Sequence, residues 1–270
     1  PPLDAALRRL HLADPAAPDP GELTRLDRRE HPAQRRLVLD ELFSLQLAVA
    51  LRRAAWGRRR ALPCPGTDAT EGRLTGGLPF ELTAAQRRVI AELRADMARP
   101  RPMHRLLQGD VGSGKTVVAF AGVLAALDSG LQAAVMAPTE ILARQHLATL
   151  EPWVRALGYR AALITAATPS GARESLLALA DAGALQLLVG THALLSPRVR
   201  IPDLGLAVVD EQHRFGVLQR VRLRERAPDE PLPHLLLMTA TPIPRSMALA
   251  LYGDLDLSVL DEKPPGRKPV

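Results

Sequence analysis

A glycine-rich octapeptide, GDVGSGKT, runs from Gly109 to Thr116 directly after a short apolar run. Its G-x-x-x-x-G-K-[ST] spacing lets backbone N–H groups turn inward on the phosphates of a nucleotide, and glycines permit the close approach that a side chain would block. Lys115 would reach the β- and γ-phosphates, and the Thr116 hydroxyl would bind magnesium. The predicted nucleotide-binding residues are Gly109, Asp110, Val111, Gly112, Ser113, Gly114, Lys115 and Thr116.

The alternative is an ordinary glycine-rich turn between a strand and a helix. Composition argues against it, because Lys115, Lys263 and Lys268 are the only lysines among 35 basic residues. A chain that otherwise uses arginine has placed a compact ammonium where a point charge suits phosphate.

Two adjacent carboxylates, Asp210 and Glu211, follow the apolar run LGLAVV. Asp210 would hold magnesium together with Thr116, and Glu211 would orient and deprotonate the attacking water, which is the usual division of roles in phosphoryl transfer. An acidic pair on a solvated loop is the alternative. A fully apolar strand before the pair, in a chain with a phosphate loop, favours the catalytic interpretation.

Three further polar residues, His213, Thr239 and Thr241, follow apolar runs and could sense the γ-phosphate, although each is ambiguous on its own. The seven histidines show no metal-ligand spacing, so no zinc site is predicted. Arginines alternate from Arg220 to Arg226, a pattern more typical of a solvated surface than of a site.

These residues need elements that bring them together, and the chain after the phosphate loop alternates short apolar runs with helix-forming segments. Continuous apolar runs are typical of strands buried on both faces, so an α/β fold with a mainly parallel central sheet flanked by helices is predicted. The predicted helices are Val117–Leu127, Ile141–Leu157 and Gly171–Ala182, and the predicted strands are Ala133–Ala137, Ala161–Thr165, Leu185–Val189, Leu204–Val209 and Leu235–Thr239.

Polar motifs begin at or just after the ends of these strands, at Pro138, Gly190, Asp210 and Thr239. Right-handed crossovers place the carboxyl ends of parallel strands at one edge, where ligands collect. Loops that merely connected elements would have no reason to concentrate Thr, His, Asp and Glu there. One shared site at this edge is therefore predicted.

The N-terminal part of the chain, residues 1–77, is predicted to be mainly helical. A small helix near Leu3–Leu12, a proline-rich irregular connector to Leu26, and a long helix over Ala33–Arg60 are predicted. The Pro-, Gly- and Thr-containing stretch Pro63–Gly77 is predicted to be a loop. We place the boundary there, between a helical region at 1–77 and the nucleotide-binding domain at 78–262.

Thr83 and Gln86 begin a helix-forming run from Leu82 to Ile90 with the spacing of a capping box. That role accounts for both side chains without any ligand. Recognition of an adenine edge by Gln86 is the alternative, which spacing alone favours less.

Composition indicates a globular protein: 270 residues, 47% hydrophobic and 3% aromatic, with a net charge of +6. The charge makes a polyanion a plausible partner without establishing one. Cys64, the single cysteine, fits an inert loop position and a reducing cytosol. No run has the roughly twenty apolar residues of a membrane span, so a soluble cytoplasmic protein is expected. The absent initial Met and the basic, Pro-rich end indicate a piece of a longer chain.

The ordered motifs LTAAQ, GDVGSGKT, PTEILARQH, GTHALL, DEQHRFGV and TATPIPRS, from Leu82 to Ser246, resemble the first motor lobe of a superfamily 2 helicase. Within that superfamily, DEQHRFGV together with GDVGSGKT and TATPIPRS resembles the RecG family of ATP-dependent branch-migration helicases. The resemblance implies a RecA-like domain that uses ATP and Mg2+ and acts on branched or duplex DNA. DELFSLQLAV looks like the segment that joins the family's wedge domain to its motor.

The resemblance also implies roles for individual residues. Gln86 would read adenine, His213 would lie at the nucleotide, and Thr239 and Thr241 would couple the ATP state to DNA movement. Phosphate contacts to DNA would come from Thr139, Arg144, Thr191 and His192, each of which local capping or packing could equally explain.

The family's second motor lobe, with its arginine finger, and its wedge domain would be partners of this lobe, and residues 263–270 would begin the linker to the second lobe. Without the finger the lobe alone is expected to bind ATP weakly, hydrolyse it poorly and unwind nothing. A nucleotide-dependent binding module without catalysis is a competing hypothesis. A transporter ATPase is a third, and no transporter signature is visible.

Overall fold

The computed structural model describes residues 1–12, 19–196, 199–210, 230–241 and 255–262. Seven strands in this part of the chain form one sheet: β1 (His104–Gly109), β2 (Gln132–Met136), β3 (Ala161–Ile164), β4 (Leu187–Gly190), β5 (Leu204–Val209), β6 (His234–Thr239) and β7 (Asp256–Leu260). Their order is β3-β4-β2-β5-β6-β1-β7, and every neighbouring pair is parallel. The predicted α/β class with a parallel sheet is confirmed.

Helices precede and alternate with these strands: α1 (Leu3–His11), α2 (Pro20–Asp27), α3 (Pro32–Gly57), α4 (Thr70–Gly76), α5 (Ala84–Met97), α6 (Lys115–Asp128), α7 (Glu140–Ala156) and α8 (Ser170–Asp181). A short 3-10 helix covers His192–Leu195. The predicted long front helix and the three crossover helices are confirmed to within a few residues.

The core is aliphatic, as the low aromatic content requires. Every residue of β2, β4, β5 and β6 is buried, because helices cover both faces of the sheet. Helix α6 is buried from Val117 to Leu127, and Phe120 on it contacts Trp153 of α7 with ring centroids 4.9 Å apart. The phosphate loop therefore leads into the most deeply buried helix of the described chain.

The chain divides into two compact units between Ala54 and Ala55. In the first unit, Glu22 of α2 accepts hydrogen bonds from Arg9 of α1 and lies 3.1 Å from the His31 ring. Helix α2 corrects the prediction of an irregular connector: Pro20 stands at its first turn, where the missing N–H costs nothing. The middle of α3 carries an exposed apolar surface that includes Leu42, Phe43 and Leu47.

In the second unit, the stretch Pro63–Gly77 is not purely a loop, because it contains α4. Cys64 and Leu74 belong to the buried core of this unit. Burial raises the pKa of the Cys64 thiol to about 12, consistent with an unreactive position. The compact units thus part before the predicted boundary, and the assignment of 1–77, 78–262 and 263–270 as functional regions stays a prediction.

A buried histidine, His234, is the first residue of β6. Its Nδ1 accepts from the Met103 N–H at 3.0 Å, and its Nε2 lies 3.0 Å from the Leu62 carbonyl, to which it donates. The neutral ring satisfies both contacts, and a second proton on Nδ1 would remove the acceptor. Burial lowers the pKa of His234 below its ordinary value of 6.5.

We expect the stability of the chain to fall in acid through this residue. Since the folded pKa lies below the unfolded one, the unfolded chain takes up the proton first as pH falls. The contribution is complete above pH 6.5 and is lost progressively below it. Thermal unfolding between pH 8 and 5 should show a flatter acid limb for His234→Gln than for wild type. His11→Gln, at an exposed position, should keep the wild-type profile; identical profiles for all three proteins would contradict the assignment.

Candidate functional site

The phosphate loop turns from β1 into α6 through two glycines in the left-handed region. Gly112 has φ 82° and Gly114 has φ 89°, backbone conformations that L side chains rarely adopt. Gly114 is the N-cap of α6, so the N–H groups of the first helical turn face the loop. A helix N-terminus carries the positive end of the helix dipole and is therefore suited to binding phosphate.

Lys115 lies over this loop. Its Nζ donates to the carbonyls of Gly109 and Asp110, at 2.7 and 3.0 Å. The same ammonium is therefore already held at the mouth of the loop, where it can reach a phosphate. Thr116 follows it in the first turn of α6.

Gln86 joins α5 to the phosphate loop. The predicted capping box is confirmed: the Gln86 Oε1 accepts from the Thr83 N–H at 3.0 Å, and the Thr83 hydroxyl accepts from the Gln86 N–H at 3.2 Å. In addition, the Gln86 Nε2 donates to the Ser113 carbonyl at 2.9 Å, a contact that spacing did not indicate. The side chain is buried within the protein, and adenine recognition by it stays a prediction.

Asp210 directly follows β5, at the same edge of the sheet as the loop. Its backbone N–H donates to the Met136 carbonyl at 2.8 Å, and its Oδ2 lies 2.7 Å from Nε2 of His146. Only β6 lies between β5 and β1 in the sheet. The ends of β5 and β1 are therefore two strand spacings, or about 10 Å, apart. The predicted common edge is confirmed for Lys115 and Asp210. Glu211 and His213 lie outside the described residues, as does the Arg220–Arg226 run.

Thr239 and Thr241 lie between these two groups, at the end of β6. Thr239 is paired in register with Gln108, the residue before the phosphate loop. The two hydroxyls are 2.9 Å apart, and the Thr239 Oγ1 accepts from the Thr241 N–H at 3.2 Å. Their hydrogen bonds form a local turn, so their coupling role stays a prediction.

The residues predicted to contact DNA lie on the other half of the edge. Thr139 follows β2 and caps α7, accepting from the Leu142 N–H at 3.3 Å, while Thr191 follows β4 and caps the 3-10 helix. Arg144 is exposed and paired with Glu140, and His192 is exposed. The local capping role is therefore observed for both threonines, and phosphate contact stays a prediction for all four predicted residues.

The donors predicted for magnesium at this edge are oxygen atoms, the kind of ligand that this ion prefers. In the described part of the chain no cluster of three or more His, Cys, Asp or Glu could hold a metal. Magnesium in phosphate-transfer sites instead uses one or two protein oxygens, keeps several waters and binds the substrate phosphates. Thr116 and Asp210 supply such a hydroxyl and carboxylate.

A family model for the DEAD/DEAH box helicases matches residues 83–249, more than half of the chain. The chain belongs to the DEAD/DEAH box helicase family. The matched residues nearly coincide with those that carry the motif resemblance, Leu82 to Ser246. They begin at the capping box and include the phosphate loop and the residues at the carboxyl edge of the sheet.

Among curated relatives, the helicase domain and its flanking residues are 45% identical over 269 residues to the ATP-dependent DNA helicase RecG of Escherichia coli K12, covering 99% of this chain and 38% of the relative. The RecG of Synechocystis is 50% identical over 240 residues, covering 88% of this chain and 28% of that protein. The matched residues thus span 38% of the length of the first of these relatives and 28% of the second.

A solved structure of RecG bound to a three-way DNA junction superposes with a TM-score of 0.77 at 42% identity, covering 88% of this chain and 32% of that one. The helicase MrfA bound to DNA shares the fold at 19% identity and a TM-score of 0.56. These matches support the RecA-like helicase fold implied by the motifs.

None of the helices in the described residues combines the length and hydropathy that crossing a bilayer requires.

Proposed function

We propose that this chain is the ATP-binding motor lobe of a DNA helicase that remodels branched DNA, such as replication forks and Holliday junctions, in recombination and repair. The observation that carries the proposal is the position of the phosphate loop and Asp210 at one edge of a parallel sheet, in a member of a helicase family. The similarity over most of the chain to a RecG solved in complex with a three-way DNA junction favours branched DNA as the substrate.

The nucleotide would be held by the backbone N–H groups of the phosphate loop and by Lys115. Thr116 and Asp210 would hold Mg2+, which, when bound, neutralises negative charge on the phosphates. Glu211 would orient and deprotonate the attacking water, Gln86 would contact adenine, and His213, Thr239 and Thr241 would couple the γ-phosphate to movement.

Hydrolysis by the lobe alone is proposed to be slow. In GTPases an arginine finger raises turnover by roughly 10³ to 10⁵, because it stabilises charge on the transferring phosphate, and a second motor lobe would supply such a finger here. The chain covers 38% of its RecG relative, and its catalytic partner is proposed to be a second lobe of the longer protein. Measured fork-stimulated turnover by the 270 residues alone would contradict this.

DNA would bind on the half of the edge formed by Thr139, Arg144, Thr191 and His192. Contacts to phosphates track a backbone without reading sequence, so affinity should fall steeply with salt. Of the four, only Arg144 carries a permanent charge, and its side chain is 62% exposed. It is therefore the residue with the largest expected share of the salt dependence.

We expect Arg144→Gln to weaken binding to a three-way junction and to reduce the slope of log K against log salt by about 0.9, the share of one neutralised phosphate. Fluorescence anisotropy at several salt concentrations measures both quantities. The matched control is Arg155→Gln, at an exposed position in the last turn of the same helix and far along it from the carboxyl edge. Equal slopes for both variants would argue against a DNA site here.

A substitution at Glu211 distinguishes the helicase motor from the alternative, a nucleotide-dependent binding module. In the longer protein, Glu211→Gln should retain ATP binding and lose translocation. Unchanged function in that variant would favour a nucleotide-dependent binding module instead.

A further inference from the structure

A direct hydrogen bond joins His146 of α7 to Asp210, the residue after β5. His146 Nε2 lies 2.7 Å from Asp210 Oδ2, and the two side chains are only 12% and 14% exposed. Sixty-four residues of sequence separate the partners, and nothing in the motif PTEILARQH assigns His146 a role. The contact therefore adds a residue to the site that the sequence did not indicate.

Both ends of this hydrogen bond are held in place. His146 lies three residues after Ala143 and four before Leu150, and both of these are buried on the inward face of α7. Asp210 is fixed through its own backbone N–H, which donates to the carbonyl of Met136 on the neighbouring strand. The imidazole is thus attached to a helix packed into the core, and the carboxylate belongs to a residue whose backbone is bonded to the sheet.

We propose that His146 is a positioning residue that orients the Asp210 carboxylate for magnesium, an inference that rests on the proposed nucleotide site. A carboxylate has about four acceptor positions, so one hydrogen bond at Oδ2 is compatible with cation binding. Hydrogen bonds from outside the ligand set fix the direction of a ligating side chain, and their loss typically weakens metal affinity about 10- to 100-fold.

A simpler explanation is that the pair only satisfies two partly buried polar groups and so supports folding. The two explanations differ in what a substitution changes. A positioning role requires a donor at the place of Nε2, whereas a packing role requires a side chain of similar volume.

Two amides test this difference. In His146→Gln the side-chain nitrogen can lie near the place of Nε2, and in His146→Asn it lies near the place of Nδ1 and falls short of Asp210. Binding of Mn2+ to the chain in the presence of the non-hydrolysable analogue AMPPNP, followed by electron paramagnetic resonance, reports on the metal without turnover. Gln145→Ala, at an exposed position on the same helix, is the control.

We expect His146→Asn to weaken Mn2+ binding about tenfold or more, with AMPPNP affinity in the absence of metal unchanged, and His146→Gln to stay close to wild type. Wild-type Mn2+ affinity in the Asn variant would overturn the inference. So would an equal loss in both variants accompanied by equal losses of thermal stability, which would indicate packing. If the wild-type chain itself fails to bind AMPPNP, the proposed function fails, a result distinct from either outcome at His146.

Discussion

Gly114→Ala is expected to reduce nucleotide affinity about 100-fold or more, a loss of about 2.7 kcal/mol or more in binding free energy. A Cβ at this position would lie 2.1 Å from the Nε2 of Gln86 and 3.2 Å from its Cδ. Gln86 cannot move aside without breaking its contacts with Thr83 and Ser113. The left-handed φ of 89° adds roughly 1–2 kcal/mol of strain for an alanine. The loop that must cradle phosphate would change shape.

A second glycine separates the steric effect from the backbone strain. Gly130 has φ 77°, and a Cβ there would meet nothing within 4 Å. Gly130→Ala should therefore carry the strain and lose some thermal stability, yet bind nucleotide as wild type does. Titration with a fluorescent ATP analogue and Mg2+ measures the affinity. Near-wild-type binding by Gly114→Ala would show that the Gln86 contact does not hold the loop in its working shape.

The sequence predicted the elements whose signals are local. The phosphate loop has a fixed spacing, the capping box from Thr83 to Gln86 spans four residues, and the central strands are continuous apolar runs. The run Leu204–Val209 matches β5 residue for residue, because a fully buried strand needs an apolar residue at every position. Such features require no knowledge of distant partners.

Elements that depend on distant partners were missed. β7 mixes exposed and buried positions at an edge of the sheet, and it forms by pairing with β1, about 150 residues earlier in the chain. Helix α4 lies in a Pro- and Gly-containing stretch, where local propensity argues against a helix. It forms where Leu74 is buried in the core of the second unit.

The candidate site shows the same division. Topology rules could place Asp210 at the edge that carries the phosphate loop, because parallel strands with crossover helices share that edge. They could not pair Asp210 with His146 or Gln86 with Ser113, since each contact depends on how a helix packs against the sheet. The sequence therefore predicted which groups lie at the edge, and the structure adds which side chains contact them.

Asp128 is the centre of a buried cluster far along α6 from the phosphate loop. Its carboxylate is fully covered and accepts from Thr70 Oγ1 at 2.6 Å, from Tyr159 OH at 2.7 Å and from Arg73. Arg73 also donates to the Leu157 carbonyl at 2.9 Å. The cluster thus ties α4 and the end of α7 to α6.

An acidic residue in the last turn of a helix opposes the helix dipole. Three donors at Asp128 offset that disadvantage. Burial raises the pKa of the Tyr159 phenol, which keeps its proton available to the carboxylate. The Asp128 carboxylate is therefore stabilised by its hydrogen-bond partners and not by the helix dipole.

Asp128→Ala is expected to destabilise the second unit by about 3 kcal/mol, because Thr70 and Tyr159 lose their buried acceptor and Arg73 loses its partner. For a domain of this size the melting temperature should fall by roughly 6–12 °C. Asp261→Ala, which breaks an exposed pair with Arg88, is the control and should melt as wild type does, since both of its side chains are more than half exposed. Because the cluster lies away from the phosphate loop, ATP affinity measured well below the transition should be unchanged in Asp128→Ala. Equal melting temperatures for the two variants would show that the cluster does not hold α4 and α7 on the core.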